Sequence, residues 1–555
     1  MNACQPPSPP GPEGGPAEKV YHCGTLSYTK KGLFVLVGWL LWGDFCFTLM
    51  EKVVPSIIPL KLNSLGASSS FIALMMSTLP GIFNTTVCPW VSFKSDRHRS
   101  RMGRRRPFII YTMPFLVLSL LFIGFSDQLG GWLHGMFLGG GTITRSMVVI
   151  GLLAFFLALF DLFNMFVASL YMCLFNDVVP RQFIGTFLAW FRLIGVLTAA
   201  GYQYFIFKYA LSHMTEIYTA VAILYLLGYG AMCLMVKEGE YPPPPDDGEA
   251  PSLKKDIKAF AKNCFTIPYY WNIFLHTTCE SIGASIVVFV VFFEQSMGLD
   301  LGMIGRMGGI NSIVLASSLV FAGMLVDRFN PVRTDAYLVA FSICRALFFS
   351  VWIFATAPAP DVYFWMVVGI TAIGALSTAM NQAANLPRLM VLFPTDEFGQ
   401  FCGAQAMVRS AGVMLGGFLA GVYLDVVKRY FAPGDLHAYR WIYLWILFFG
   451  ILGYVFHYRA YRCWKRLGAE EGTAPTTYFK YSDLPKAKHS GMDKKLLLVP
   501  LSAFCGYLAA SLFFVYYFRF TVPDPRNVVI FSILTVILIC FFAGYLRFIR
   551  FMERP

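Results

Sequence analysis

Charge is scarce in this chain. Only 14% of its 555 residues are Asp, Glu, Lys or Arg, while 57% are hydrophobic. A soluble globular protein carries about 25% charged residues, so an ordinary water-soluble domain is excluded. A G-x-x-x-x-G-K-[ST] phosphate loop is absent, and with it the nucleotide cradle that ATP-driven transport needs. No G-x-S-x-G elbow appears, so membrane-embedded hydrolysis lacks its nucleophile. The 13 cysteines form no C-x-x-C and no metal spacing. Cys46, Cys88, Cys173 and Cys540 lie inside apolar runs and read as small buried hydrophobes. Residues 1–19 lack the apolar core of a signal peptide. With their prolines and glycines, they place residues 1–31 as a disordered cytoplasmic tail. No cofactor, metal or enzymatic activity is expected.

The net charge of +13 does not point to nucleic acid. The basic residues cluster in loops beside apolar runs, which is the positive-inside pattern of a membrane protein. Fourteen runs reach the roughly 20 residues that span a bilayer. Helices 1 to 6 are read at Gly32–Val54, Ser69–Phe93, Pro107–Phe125, Met147–Phe175, Phe183–Tyr209 and Glu216–Val236, forming a bundle over 32–236. A cytoplasmic linker, 237–269, carries the run Pro242–Pro245. Helices 7 to 12 follow at Tyr270–Phe293, Met303–Val326, Asp335–Thr356, Tyr363–Phe393, Gln400–Val426 and Trp441–His457, a second bundle over 270–457. A basic cytoplasmic loop, 458–495, leads to two further spans, Leu496–Phe518 and Val528–Phe548, in 496–555. With both termini inside, every Lys/Arg-dense connection falls on the cytoplasmic side. The lipid bilayer is therefore a partner; the oligomeric state stays open.

The densest basic loop, Ser95–Phe108, holds six arginines within ten residues, Arg97 to Arg106. Each would cost roughly 2.5–3.5 kcal/mol at the centre of a membrane helix, so the loop is confined to the cytoplasm. The two bundles also repeat. Gln182-Phe183-x-Gly185 with Ala189-x-x-Arg192-x-x-Gly195 matches Gln400-Phe401-x-Gly403 with Ala406-x-x-Arg409-x-x-Gly412. Asp96-Arg97 after helix 2 has a counterpart in Gly323-x-x-x-Asp327-Arg328 after helix 8. Parallel repeats joined by a cytoplasmic linker are one signature of secondary transporters.

An Asp-Arg loop at the same place in each of two six-helix halves resembles the major facilitator superfamily, whose loop reads G-x-x-x-D-R/K-x-G-R-R/K. The first half has Ser92 at the leading glycine and a longer insert before Gly103-Arg104-Arg105-Arg106. That longer form, with Asp161-x-x-Asn164-Met165 in helix 4, is similar to the plant sucrose–proton symporters and their glycoside–cation symporter group. The resemblance implies an all-α polytopic fold: two six-helix bundles in pseudo-symmetry, to which this chain adds two C-terminal helices. Those symporters carry an arginine in mid-helix 4, whereas here the stretch reads Ala168-Ser169-Leu170-Tyr171-Met172. Sucrose itself is thereby put in question, and Arg192 is the available substitute charge.

Ionisable groups inside apolar spans are expensive and seldom face lipid. Asp44 and Glu51 share a face of helix 1, Asp161 and Asn164 of helix 4, and His276 and Glu280 of helix 7. Asn381, Asn385 and Arg388 form a stripe on helix 10. In the superfamily this chain resembles, those four helices line the central cavity. Asp44 or Asp161, or both, are candidates for the coupling proton, since a carboxylate in a poorly solvated cavity can load and release one. Arg192 or Arg409 would oppose that charge. Satisfied interhelical pairing is the alternative for each, His276 and Glu280 included. Asp96, Arg97, Gly103, Arg104, Asp327 and Arg328 are candidate gate residues; the resemblance implies that the loop aspartate meets a neighbouring helix N-terminus. Aromatic residues near the polar positions (Trp39, Trp42, Phe45, Phe163, Tyr171, Trp190, Tyr202) could stack on sugar rings.

The expectation is a plasma (cell inner) membrane transporter that moves a sugar, glycoside or similar small polar solute with protons, by alternating access. Sodium coupling, a non-sugar solute, or a transport-incompetent receptor on the same fold are the alternatives.

Overall fold

The computed structural model describes residues 20–138, 142–240, 260, 264–326, 331–394, 397–430 and 436–466. Twelve long helical segments follow one another: α1 (Lys30–Ser64), α2 (Ser69–Arg97), α3 (Arg106–Gly124), α4 (Arg145–Val178), α5 (Ile184–Gly201, continued as tighter and wider turns to Tyr209), α6 (Met214–Met235), α7 (Pro268–Ser296), α8 (Leu301–Val326), α9 (Pro331–Ile353), α10 (Pro360–Leu392), α11 (Phe398–Tyr430) and α12 (Leu436–Arg466). Among the described residues, ten of these are long and apolar enough to cross a membrane. The remaining two, α5 and α8, fill the places expected for helices 5 and 8. A helix is the natural spanning element because every interior N–H and C=O is satisfied within it.

Several boundaries differ from the sequence reading. α1 runs past Val54 to Ser64, through Pro55 and Pro59, since apolar Ile57, Ile58 and Leu60 are buried and packing outweighs the lost N–H groups. In α2, Pro80 cannot donate to the carbonyl four residues back, and the π turn Leu74–Thr78 absorbs the mismatch just before it. α12 continues past His457 to Arg466, so the expected loop at 458 begins as helix. The expected tail is not all disordered. Tyr21–Cys23 and Leu26–Tyr28 pair as an antiparallel hairpin, a small exception to an all-α chain. It is tied down by the Cys23 thiol, 3.5 Å from the carbonyls of Asp177 and Val179 at the end of α4. Residues 1–19, the Pro242–Pro245 linker, the basic loop after Arg466 and the expected last two helices lie outside the described residues.

The two halves pack alike. In the first, α1 packs on α5 and α6, α2 on α4, and α3 on α4 and α6. The second repeats this six helices later: α7 on α11 and α12, α8 on α10, α9 on α10 and α12. The seams between halves are also a symmetric pair, α2 with α11 and α5 with α8. Each is built on small residues four apart, which let helix backbones approach closely. A methyl group at Gly421 would lie 2.5 Å from the Ser69 carbonyl oxygen, and one at Gly417 2.5 Å from the Ser77 Cβ. On the other seam Gly305 lies against the Gln203 carbonyl, and a Cβ at Gly309 would stand 3.1 Å from that of Ala200. Among the described residues, the hydrogen bonds joining the halves sit toward the Ser69 end, away from the arginine loop. Ser69 and Ser70 N–H groups donate to Asp425 at 2.8 Å each, Thr78 Oγ1 to the Met414 carbonyl at 2.8 Å, and Tyr439 Oη to Asn63 Oδ1 at 2.9 Å.

Candidate functional site

The arginine loop is folded tightly onto its own half. Arg104 forks onto Asp177 at the end of α4, Nε to Oδ2 at 3.1 Å and Nη2 to Oδ1 at 2.7 Å. Arg105 bridges Asp177 (2.6 Å) and Asp96 (2.9 Å). Arg106 donates to the Cys233 and Leu234 carbonyls that end α6, at 2.7 and 3.2 Å. The N-terminus of α3 is met not by the loop aspartate but by Glu238, which accepts from the backbone N–H of Arg104 (2.9 Å), Arg105 (3.1 Å) and Arg106 (2.7 Å). An anion there complements both the unpaired N–H groups and the helix dipole. Asp96 is 55% exposed and is taken up by guanidinium instead. Arg97 lies over the Phe93 ring, 4.2 Å from its centroid. Asp327 and Arg328 lie outside the described residues.

Gly103 makes this geometry possible. Its φ is +103°, and a Cβ there would sit 2.6 Å from the Glu238 Cδ. Gly103→Ala should therefore lose about 1–3 kcal/mol through backbone strain and displacement of Glu238. A lower thermal midpoint of the detergent-solubilised protein checks this; an unchanged midpoint counts against it.

In the first half, Asp44 is 1% exposed and Asp161 8%. Asp44 Oδ1 accepts from Thr48 Oγ1 at 3.2 Å. Its Oδ2, the Oδ2 of Asp161 and the Oδ1 of Asn164 are buried without a hydrogen-bond partner among the described residues. One residue before Asp44, the Tyr171 hydroxyl, bonded to the Leu40 carbonyl at 2.9 Å, lies beside Gly43. Arg192 and Arg409 do not pair with either carboxylate. Both are exposed on equivalent helices, α5 and α11, with no ion pair among the described residues.

The second half holds a denser cluster. His276 (α7), Asp335 (α9), Arg388 (α10) and His457 (α12) are each 1–2% exposed. Asp335 is the hub. Its Oδ1 accepts from Arg388 Nη1; its Oδ2 is 3.1 Å from His276 Nε2 and 2.8 Å from His457 Nδ1. Glu280 is the more accessible member, its Oε2 3.7 Å from His276 Nε2 and 4.0 Å from Arg388 Nη2. Asn385 is exposed and accepts from Arg388 Nη2 at 3.3 Å; Asn381, half-buried one turn earlier, joins no hydrogen bond of the cluster among the described residues. His276, Asp335 and His457 could face a metal ion, their ligand atoms lying within 4.8 Å of one another. Arg388 already neutralises this face, however, with Nη1 3.1 Å from His276 Nε2.

The expected aromatic platform is mostly packing. Phe163 stacks on Phe115 of α3, Tyr171 is buried, and Trp42, Phe45 and Tyr202 line an apolar groove of about 690 Å³ between α1 and α5. Asp335 and His457 escaped the sequence reading because each sits at an expected helix end. The signal available was an Asp and a His, both adjoining apolar runs that must pack within the same half as His276.

Residues 40–417 match the model of the Major Facilitator Superfamily. Sucrose transport protein SUT5 of Oryza sativa subsp. indica is 40% identical over 68 residues, a match spanning 12% of this chain and 12% of that protein; its japonica counterpart matches equally. Among solved structures, a bacterial homologue of the iron transporter ferroportin in an inward-facing state superimposes with a TM-score of 0.56 at 14% identity, covering 77% of this chain and 99% of that one. A D-xylose–proton symporter gives 0.53 at 13%, covering 77% and 97%. An inward-facing, occupied bacterial homologue of the lysosomal transporter Spinster gives 0.53 at 15%, covering 77% and 96%. With a family match over most of its length and the paired six-helix architecture, the chain belongs to the Major Facilitator Superfamily and is an integral membrane transporter.

Proposed function

We propose that this transporter moves a small polar solute, a sugar or glycoside, in symport with protons, by rocking its two halves about a site between them. The observation that carries the reading is the pair Asp44 and Asp161: two carboxylates buried in membrane-spanning helices, each with an oxygen that no described donor meets. An isolated charge there is prohibitively costly, so each is a place where a proton can be held and exchanged. The sugar class is supported by the short sucrose-transporter match and by the likeness to a D-xylose–proton symporter.

With the arginine loop in the cytoplasm, the hydrogen-bonded seam at Ser69 and Asp425 closes the outer side. The conformation is then inward-facing, with both termini in the cytoplasm and the chain in the plasma (cell inner) membrane. Gly103, Arg104 and Asp96 brace the cytoplasmic ends of α2, α3, α4 and α6 as one rigid body during rocking.

Proton flux in proteoliposomes challenged with mono- and disaccharides, polyols and glycosides tests this. One solute class should alkalinise the outside medium and be accumulated, and Asp161→Asn should abolish both. Accumulation that persists in Asp161→Asn removes that carboxylate from coupling. A response to a sodium gradient alone moves the coupling ion to Na+, which the same carboxylates could ligate.

A further inference from the structure

His276 occupies a position with two mutually exclusive sets of partners. Its Nδ1 is 3.0 Å from the Gly453 carbonyl. A carbonyl only accepts, so Nδ1 carries the hydrogen. The other ring nitrogen, Nε2, has two neighbours at the same distance and of opposite character. Arg388 Nη1, at 3.1 Å, can only donate. Asp335 Oδ2, also at 3.1 Å, accepts, its carboxylate being paired with Arg388 and His457. With Nδ1–H fixed, a neutral ring offers its Nε2 lone pair to Arg388. A ring with one more proton offers Nε2–H to Asp335. The two states differ by one proton and need no movement of the ring.

The groups facing this nitrogen come from every element around it. Glu280 lies on the same helix, Asp335 on α9, Arg388 on α10 and His457 on α12. From α11, Gln405 is uncharged and bonds Thr277, at 3.0 Å. Of these groups, only Glu280 has substantial exposure, 29% against 2% for the others. Its Oε2 is 3.7 Å from His276 Nε2, one small side-chain shift from transfer distance.

We propose that His276 is a further proton-carrying residue of the transport cycle, loaded through Glu280, with Arg388 as the group that senses its state. When Nε2 takes up a proton, Arg388 Nη1 loses an acceptor and keeps only Asp335. Its Nη2, 3.3 Å from Asn385 Oδ1 and 4.0 Å from Glu280 Oε2, is then drawn toward the Glu280 carboxylate. Protonation is thus transmitted to Asn385 on the exposed face of α10. Asp335 and His457 are positioning residues. The proton balance is simple: a hydronium ion gives its proton to the Glu280 carboxylate, which passes it to Nε2 and is a carboxylate again, so the net change is one proton moved from solvent to His276. This inference rests on the proton-coupled reading and extends it from the first half to the second.

The test is nitrogen NMR of the full-length protein in nanodiscs, labelled with 15N-histidine, without any solute. The chain has 8 histidines. His276→Gln assigns the resonance; should that variant fail to fold, single replacement of the other histidines assigns it by elimination. At high pH the His276 Nδ1 should carry hydrogen and Nε2 should give a bare-nitrogen signal. Lowering the pH should abolish the bare-nitrogen signal while Nδ1–H stays in place, and Glu280→Gln should slow that exchange at least several-fold. An Nε2–H tautomer at high pH, or a ring unchanged between about pH 5 and 9, overturns the proposal. Asp161→Asn separates the two claims. Titration of His276 that survives in that variant while accumulation is lost fits both. Intact proton-driven accumulation with a silent His276 overturns this inference and leaves the transport reading standing.

Discussion

Asp335→Leu should destabilise the second half by about 3–5 kcal/mol, the cost of stranding one member of a buried ion pair. Arg388 is 2% exposed and lies between α7, α9 and α10. With Asp335 gone, its guanidinium keeps only the neutral groups His276 at 3.1 Å and Asn385 at 3.3 Å and the Glu280 carboxylate at 4.0 Å, and its Nε already lacks a partner among the described atoms. His457 Nδ1 and His276 Nε2 lose the same acceptor. The loss is thus not one contact but the electrostatic centre of four helices. Removing both charges, Asp335→Leu with Arg388→Met, should recover most of the loss, because a buried pair exchanged for apolar groups is often neutral. Thermal unfolding read by thiol reactivity at Cys279, buried on α7, checks both variants. A single variant as stable as the parent would show that water or a rearranged Glu280 already satisfies Arg388.

What was legible in the sequence followed from membrane physics. Apolar runs long enough to cross a bilayer placed the two sets of six helices, because no other element satisfies its backbone there. The Arg192 and Arg409 repeats fall on α5 and α11, which the packing relates by pseudo-symmetry. The polar faces of helices 1, 4 and 7 were legible as well: Asp44, Asp161 and His276 are all buried. Which groups they meet was not. Single-helix periodicity says which residues share a face and nothing about the neighbouring helix. Asp335, four residues into α9, and His457, two turns from the end of α12, read as the charged edges of apolar runs. Only the packing of α12 against both α7 and α9 turns them inward. Glu238 was hidden for the same reason. It falls where composition shifts to a linker, yet three backbone N–H groups leading into α3 converge on it. Arg192 and Arg409 were expected beside the carboxylates, but long side chains on helices at the seams between halves extend to exposed positions, where their charge is cheaper to keep.

Gly421→Leu should leave the protein folded but unable to close the seam between α2 and α11. The glycine sits where α11 crosses the start of α2. Even a methyl group there would be 2.5 Å from the Ser69 carbonyl oxygen, 2.6 Å from the Ser70 Cα and 2.7 Å from the Ala73 Cβ. Two of these are backbone atoms, which cannot turn aside as a side chain can. The helices must separate, and the polar interlock one turn further along goes with them. There the Ser69 and Ser70 N–H groups, at the N-terminus of α2, both point at the Asp425 carboxylate at 2.8 Å. The Lys428 ammonium donates to Ser69 Oγ and Tyr439 Oη, each at 2.8 Å. Hydrogen bonds to charged groups contribute about 1.5–3 kcal/mol each. Losing two or more costs about 3 kcal/mol at least, which moves a two-state equilibrium roughly 100-fold or more. Each half keeps its own core, so stability within the bundles should change little. Ser77→Cys, placed on α2 opposite Gly417, reports the opening. In the parent the introduced thiol should be shielded from a membrane-impermeant maleimide added outside, and in Gly421→Leu it should react faster by that factor. Asp425→Ala should move the same readout in the same direction by a smaller factor, since it removes the interlock without forcing the backbones apart. If the two variants instead leave the introduced thiol shielded, closure of this end rests on the α5–α8 seam, where Gly305 and Gly309 meet the carbonyls of Gln203 and Ala200. Gly305→Leu would then be the variant that opens it. Because the two seams are related by the pseudo-symmetry of the halves, either one failing alone should tilt the bundles asymmetrically, and only both failing should release the outer side completely.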